Sequence, residues 1–339
     1  MADSIENWKI ILATSIPIKG TQWTISGYSW AARQTMVVIR ELGIALDIGK
    51  DSEQSFTHIF ITHAHYDHIK GLYTHLIENN NPPLVVVPSP SVDNVSKFVE
   101  AAHACTNHEN GTVVKWRIMG VSARNEQTFM ANMMSIKNIN FKIELFKCKH
   151  SIPTTGYGFI EQRSKLRDEY IGKPQKEIND AKINGNEITK IVEVCHFCFL
   201  GDTTHEVFYL DKECAISDPN LEKYGTIIVE CTFLHDDEKK LAKKKKHMLW
   251  SNLKKYIVNH PYIHFVLYHF STRYKARDII NFFSNENLEN VSPLVHDYEQ
   301  YWTHRLDYKS SRDLDRKSDQ VATIEQLSAI DQAADHNTV

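Results

Sequence analysis

Long hydrophobic runs are absent from this chain. A charged side chain interrupts each apolar stretch well before the roughly 18 residues that a membrane span needs, so no membrane partner is expected. Cysteine is scarce: six in 339 residues are too few for a disulfide scaffold and suit a reducing compartment. Charge of one sign is also missing. The formal net charge is −3, so nucleic-acid contacts would have to come from local patches. The start, "MADSIENWKIILATSIPIKG", has no basic leader, and a cytoplasmic or nuclear rather than secreted protein is expected. No Pro/Gly/Ser-rich linker divides the chain, and no internal repeat occurs.

Short β-branched runs recur instead, each ending in polar residues: "TMVVIRELGIALDIG", "HIFITHAHYDH", "PPLVVVPSP", "INFKIELFKCKHS", "CHFCFLGDT", "GTIIVECTF" and "IHFVLYHFSTRY". Between them the apolar residues take helical spacing, as at Ile69, Leu72, Tyr73 and Leu76, and in "SVDNVSKFVEAAHAC" and "RDIINFFSN". Strands alternating with helices predict a layered α/β architecture. Two segments depart from this pattern. Residues 161–190 are strongly polar between two strand-like runs, and the tail 308–339 is polar throughout, leaving 1–307 as the folded domain. Cys195 and Cys198 in "CHFC" fall in a strand, where positions three apart face opposite ways; buried thiols are expected rather than a shared metal.

The stretch "FITHAHYDHIKGL" concentrates metal-binding side chains. His63 and His65 are two apart, so an extended backbone puts both rings on one side, and Asp67 and His68 follow at the turn into a helix. Neutral imidazoles suit zinc, and a carboxylate with a histidine beside them can hold a second ion. Later strand ends repeat the theme: His150 closes "FKIELFKCKH", Asp202 sits in "FLGDT", and His269 ends "IHFVLYHF". Each alone is weak, but together with the first cluster they make seven ligands, enough for two ions sharing a carboxylate.

"THAHYDHIKGL" resembles the signature of the metallo-β-lactamase superfamily, and "FLGDT", "VECTF" and "YHFSTRY" resemble later motifs of the ribonuclease Z family. The resemblance runs from about Gly27, through "LDIG" around Asp47, to Tyr274. It implies an αββα four-layer sandwich with two zinc ions at its edge, manganese or iron being able to replace zinc. It assigns His63, His65 and His150 to one ion, Asp67, His68 and His269 to the other, and Asp202 as the bridge. Asp67 also orients the attacking hydroxide. Glu230 of "VECTF" and His247 of "LAKKKKHMLW" match a proton-delivery pair. The implied reaction is endonucleolytic removal of 3′ trailers from precursor tRNA by a homodimer. The family often has Gly where Tyr66 stands here, and its basic loop is not recognisable near "SWAARQT".

By the same resemblance, 161–190 is the exosite-like arm that grips tRNA, with Arg163, Lys165 and Arg167 among its cations. Ser271 and Arg273 of "STRY" are placed for a phosphate. The alternatives are a superfamily hydrolase of a small ester, thioester or β-lactam, and a non-catalytic RNA-binding homologue. The 161–190 insertion and "HFSTRY" argue against the first, and a complete ligand set argues against the second.

Overall fold

Period-two alternation of apolar residues sorts the strands of this chain onto two faces. Along Ile44–Leu46, Ile44 and Leu46 enter one core and Ala45 another; Phe60 likewise opposes Ile59 and Ile61. Strands buried on both faces must be covered on both, which requires two sheets stacked between helices. The computed structural model describes residues 15–52, 54–77, 81–106, 116–122, 129–211 and 216–295. The polar tail read at 308–339, and the last residues of the domain read as 1–307, lie outside the described residues.

The first sheet is built in chain order from β1 (Ile16–Pro17), β2 (Thr24–Trp30), β3 (Gln34–Ile39), β4 (Ile44–Leu46), β5 (His58–Phe60), β6 (Leu84–Pro88) and β7 (Arg117–Val121). The second contains β8 (Phe129–Ile136), β9 (Ile139–Cys148), β10 (Thr154–Leu166) and β11 (Thr189–Phe199). After a small ribbon of β12 (Tyr209–Asp211) and β13 (Ile216–Ser217), it continues with β14 (Thr226–Glu230), β15 (His264–Tyr268) and β16 (Val291–Pro293). Its spatial order is β16-β15-β14-β11-β10-β9-β8. Each sheet has an antiparallel half, and β4–β7 in one and β11, β14, β15 and β16 in the other pair in parallel.

A central core fills the space between the sheets. Phe159 stacks on Phe197 at 4.4 Å and meets Phe60 edge-on at 5.0 Å, with all three fully buried. Each such ring contributes about 1.5–3 kcal/mol by leaving water. Outside the first sheet lie helices Leu72–Ile77 and Val92–Thr106, with Leu72, Leu76, Val95 and Val99 facing inward. Outside the second lie Trp250–Asn259 and Ala276–Glu286, burying Leu253, Ile257, Ile279 and Phe283. The four layers are the expected helix–sheet–sheet–helix sandwich. Among the described residues no helix is long and apolar enough to cross a membrane.

The facing argument for "CHFC" needs correction. A bulge pairs Phe159 with Phe197 but Ile160 with Cys195, leaving His196 as the extra residue. The alternation resets there, so Cys195 and Cys198 pack against the same outer core. His196 turns the other way, its Nε2 at 2.7 Å from Glu161 and its ring edge-on to Trp23. Neither thiol belongs to a metal-binding group among the described residues.

The polar segment 161–190 is a protruding hairpin. The outer half of β10 pairs with β11 from Glu161↔Val194 to Leu166↔Thr189, and the connection carries helix Gln175–Ile183. Its polarity is explained by exposure: no residue of that helix is buried.

Candidate metal centre

Parallel pairing sends the C-terminal ends of β11, β14 and β15 to one edge, and the two antiparallel steps β9–β10–β11 bring the end of β9 there too. The first sheet meets that edge through Thr155, whose N–H donates to the Thr62 carbonyl at 2.9 Å. The sheets come close enough that a Cβ on Gly201 would lie 2.6 Å from Thr62 Cβ. Asp202, His150 and His269 therefore converge on the histidine run after β5.

Three potential ligand groups result; two of them share no residue, with His63, His65, His150 and Asp202 in the first and Asp67, His68 and His269 in the second. In the first, His65 Nδ1 lies 3.0 Å from His63 Nε2 and 3.2 Å from His150 Nε2. Those separations approach the edge of a tetrahedron with ~2.0–2.1 Å zinc–nitrogen bonds, about 3.3 Å. In the second, His68 Nε2 is 3.4 Å from His269 Nε2 and 3.6 Å from Asp67 Oδ2. Asp202 Oδ2 sits between the groups, 3.7 Å from His63, 3.8 Å from His150, 3.6 Å from His68 and 3.5 Å from His269. Asp202 Oδ1 is buried with no hydrogen-bond partner among the described residues. Convergent ring nitrogens around a buried carboxylate are costly as they stand and fit divalent metal ions. The cluster can therefore hold metal.

The far ring nitrogens are held in place. His68 Nδ1–H donates to Asp47 Oδ2 at 2.7 Å, and His150 Nδ1–H to the Lys246 carbonyl at 3.2 Å. Thr62 Oγ1 lies 3.0 Å from His63 Nδ1, and Thr232 Oγ1 3.0 Å from His269 Nδ1. In these four rings Nε2 faces inward, while His65 presents Nδ1. Asp47 also accepts from the Thr62 N–H at 2.7 Å. Asp47 and His269 both adopt left-handed backbone, at φ 57° and 63°. The "DIG" turn braces the run from below: Ile48 N–H donates to the His68 carbonyl, and a Cβ on Gly49 would stand 1.7 Å from the Asp67 carbonyl oxygen. None of these supports is assigned a role by the sequence; the only hint is "LDIG", an aspartate followed by a glycine after a buried strand.

Charge follows from this packing. Burial drives the His63 pKa well below its ordinary value, and burial lowers His65 and His150 too, favouring the neutral rings that ligate metal. Burial alone would raise Asp202, yet His269, His68 and His63 hold it well below the carboxylate range. Asp67 is likewise opposed by burial but lowered to about 2 by His269 and His68. His68 resists its burial and is raised well above the usual histidine value by Asp202 and Asp47. A ring between two carboxylates marks a place that attracts positive charge.

Glu230, fully buried, accepts from Thr203 N–H at 2.8 Å, Met248 N–H at 3.2 Å and His247 Nδ1–H at 2.8 Å. Burial opposes charge on His247, but the Glu230 carboxylate, with Asp202 beyond it, raises its pKa to about 9. Ring His247 stacks at 5.4 Å on His269 and also shares a potential ligand group with Asp202 and His269.

The remaining residues are not part of this cluster. Ser271 is buried beside His269, but Arg273 turns to Glu238 at 3.2 Å. Arg163, Lys165 and Arg167 lie on the hairpin; Arg163 pairs with Glu161 at 2.8 Å and Arg167 with Glu187, whereas Lys165 is exposed and has no ion pair among the described residues. Tyr66 is exposed, its ring edge-on to Phe98 rather than among the ligands.

No protein-family model matches the chain. Among curated proteins it is similar to tRNase Z TRZ1 of Arabidopsis thaliana, 27% identical over 264 residues, covering 76% of this chain and 88% of the relative. It is 29% identical to the chloroplastic tRNase Z TRZ2 of the same plant, over 76% of this chain and 70% of that one. The solved structure of the short form of human tRNase Z superposes with a TM-score of 0.50 at 18% identity, over 80% of this chain and 96% of that one. The metallo-β-lactamase fold protein YhfI from Bacillus subtilis gives the same TM-score at 10% identity, over 82% and 99%. The chain has the metallo-β-lactamase fold, and its curated relatives agree with the ribonuclease Z resemblance of its motifs.

Proposed function

We propose that this chain, a ribonuclease Z by its sequence relatives, is a metal-dependent endoribonuclease that cuts 3′ trailers from precursor tRNA. The observation that carries the hydrolytic chemistry is the Glu230–His247 pair, 2.8 Å apart, at the border of a seven-residue candidate ligand cluster; RNA as the substrate rests on the sequence relatives. In this reading His63, His65 and His150 hold one zinc ion, Asp67, His68 and His269 a second, and Asp202 serves both. Bound there, the ions supply Lewis-acid neutralisation of phosphate charge and a water acidic enough to attack at neutral pH.

The chain's own side chains do the rest. Asp67, partly exposed and ionised, orients the attacking oxygen toward phosphorus. The bond broken is that to the 3′ oxygen of the upstream nucleotide, which leaves as an alkoxide needing a proton. His247, charged through neutral pH and aimed by Glu230, donates it. The products are an RNA with a free 3′ hydroxyl and a trailer with a 5′ phosphate. A small ester or lactam also needs a protonated leaving group, so sequence kinship rather than chemistry favours RNA. The arm contributes Lys165, Lys176 and Lys182, which have no ion pair among the described residues, since Arg163 and Arg167 are engaged within it.

Incubating purified chain with 3′-extended precursor tRNA is expected to give the two products, and a chelator is expected to stop the reaction until zinc or manganese is returned. Cleavage unaffected by exhaustive chelation would sink the metal reading; no cleavage in any metal would sink the nuclease reading. The resemblance further implies a two-fold homodimer, which light scattering checks: a chain that stays monomeric at working concentration removes it.

A further inference from the structure

The strongest local charge on this chain lies outside the roles given above. "KKLAKKKK" forms helix Lys239–Lys245, with Lys246 as its left-handed cap. Leu241 and Ala242 turn inward onto Phe233 and Leu249, while Lys239, Lys240, Lys243, Lys244 and Lys245 are exposed. None of the five has a carboxylate within ion-pairing distance among the described residues. Several cations elsewhere are neutralised singly, as Arg273 by Glu238, Arg163 by Glu161, Arg167 by Glu187, Lys190 by Asp168 and Lys149 by Glu206, whereas these five crowd one helix. Lysines one turn apart repel and weaken the helix. Lys243, Lys244 and Lys245 suit the helix C-terminus and Asp236–Glu238 precede its start, yet five like charges on one short exposed helix still leave a cationic surface that suits a polyanion.

Its position says which. The helix ends on the metal cluster: the Lys246 carbonyl accepts from His150 Nδ1–H, the Lys246 ammonium donates to the His150 carbonyl at 3.1 Å, and the next residue is His247. We propose that these five lysines bind the phosphate backbone of the RNA on the 5′ side of the scissile bond, the strand that leaves with the free 3′ hydroxyl. The inference rests on the nuclease reading for its direction. His247 serves the leaving 3′ oxygen, so the element that carries it faces the nucleotides upstream of that oxygen. The helix is about 10 Å long, which spans about three phosphate steps of one strand. A downstream strand would instead have to run past Asp67 and His68, on the other sheet's side of the cluster.

The test uses the full chain, a five-fold variant with Lys239, Lys240, Lys243, Lys244 and Lys245 all changed to Gln, and the same five changed to Arg. Two probes are used: an acceptor-stem RNA hairpin ending in a 3′ hydroxyl, and a single-stranded trailer with a 5′ phosphate. Each is titrated across a salt series. The Gln variant is expected to lower the log–log salt slope for the hairpin by about two to three units, since each duplex phosphate contact contributes about 0.9. The trailer slope should stay as in the parent, and the Arg variant should keep the parental slope on both. An unchanged hairpin slope overturns the proposal, as does an equal loss on the trailer, or an Arg variant that loses as much as the Gln variant. A parent that binds the hairpin through these lysines yet cuts no precursor keeps this surface and removes the nuclease reading.

Discussion

Asp202→Ala is expected to lose precursor cleavage by at least about 10³-fold and to lose most of its bound metal. One carboxylate oxygen stands 3.5–3.8 Å from His63, His68, His150 and His269, so its removal takes the shared anion from both ligand groups at once. Lewis-acid stabilisation of a phosphoryl transition state is worth several kcal/mol, and about 4 kcal/mol corresponds to that rate factor. Elemental analysis beside circular dichroism separates lost metal from lost fold. A folded variant that keeps the parental metal content and rate would show that Asp202 does not bridge.

His247→Ala should act on a different step. Its turnover on precursor tRNA should fall by about 10²–10⁴-fold, the usual reach of a general acid, while KM and metal content stay near parental values. A bis(p-nitrophenyl) phosphate substrate should be spared, because p-nitrophenolate leaves without needing a proton. Equal loss on both substrates, together with lost metal, would make His247 a ligand alongside Asp202 and His269 instead. The pH profile carries the same assignment. With its pKa raised to about 9, the ring is charged below that pH and loses its proton above it, so turnover falls on the alkaline side. In Glu230→Gln the charge that raises the pKa is gone, and the falling limb should move to lower pH.

The convergence of the seven candidate ligands was legible because each is a metal-binding residue type placed where an apolar strand runs out, and strand ends of one sheet share an edge. Their supports were not. Asp47 reaches His68 across 21 positions and Lys246 reaches His150 across 96, contacts that exist only after the sheets stack. The facing of "CHFC" failed for a related reason: period two holds only in an unbroken strand, and His196 interrupts it. The exposed hairpin was visible as a polar interval, but the neutralisation of Arg163 and Arg167 was not, because charge counted along a sequence ignores which carboxylate folds back.

The left-handed backbone at Asp47 and His269 sets a limit on how this protein can adapt to heat. Each non-glycine residue in that conformation costs about 1–2 kcal/mol, against a net stability of about 5–15 kcal/mol for a typical domain. Glycine would relax either position and would remove the imidazole or the carboxylate that the cluster depends on. A lineage under selection for thermal tolerance therefore cannot gain at these two positions while keeping its chemistry. It would have to gain elsewhere, for example at the helix cap Lys246 or the turn residue Ala32, which are also left-handed and carry no proposed ligand side chain.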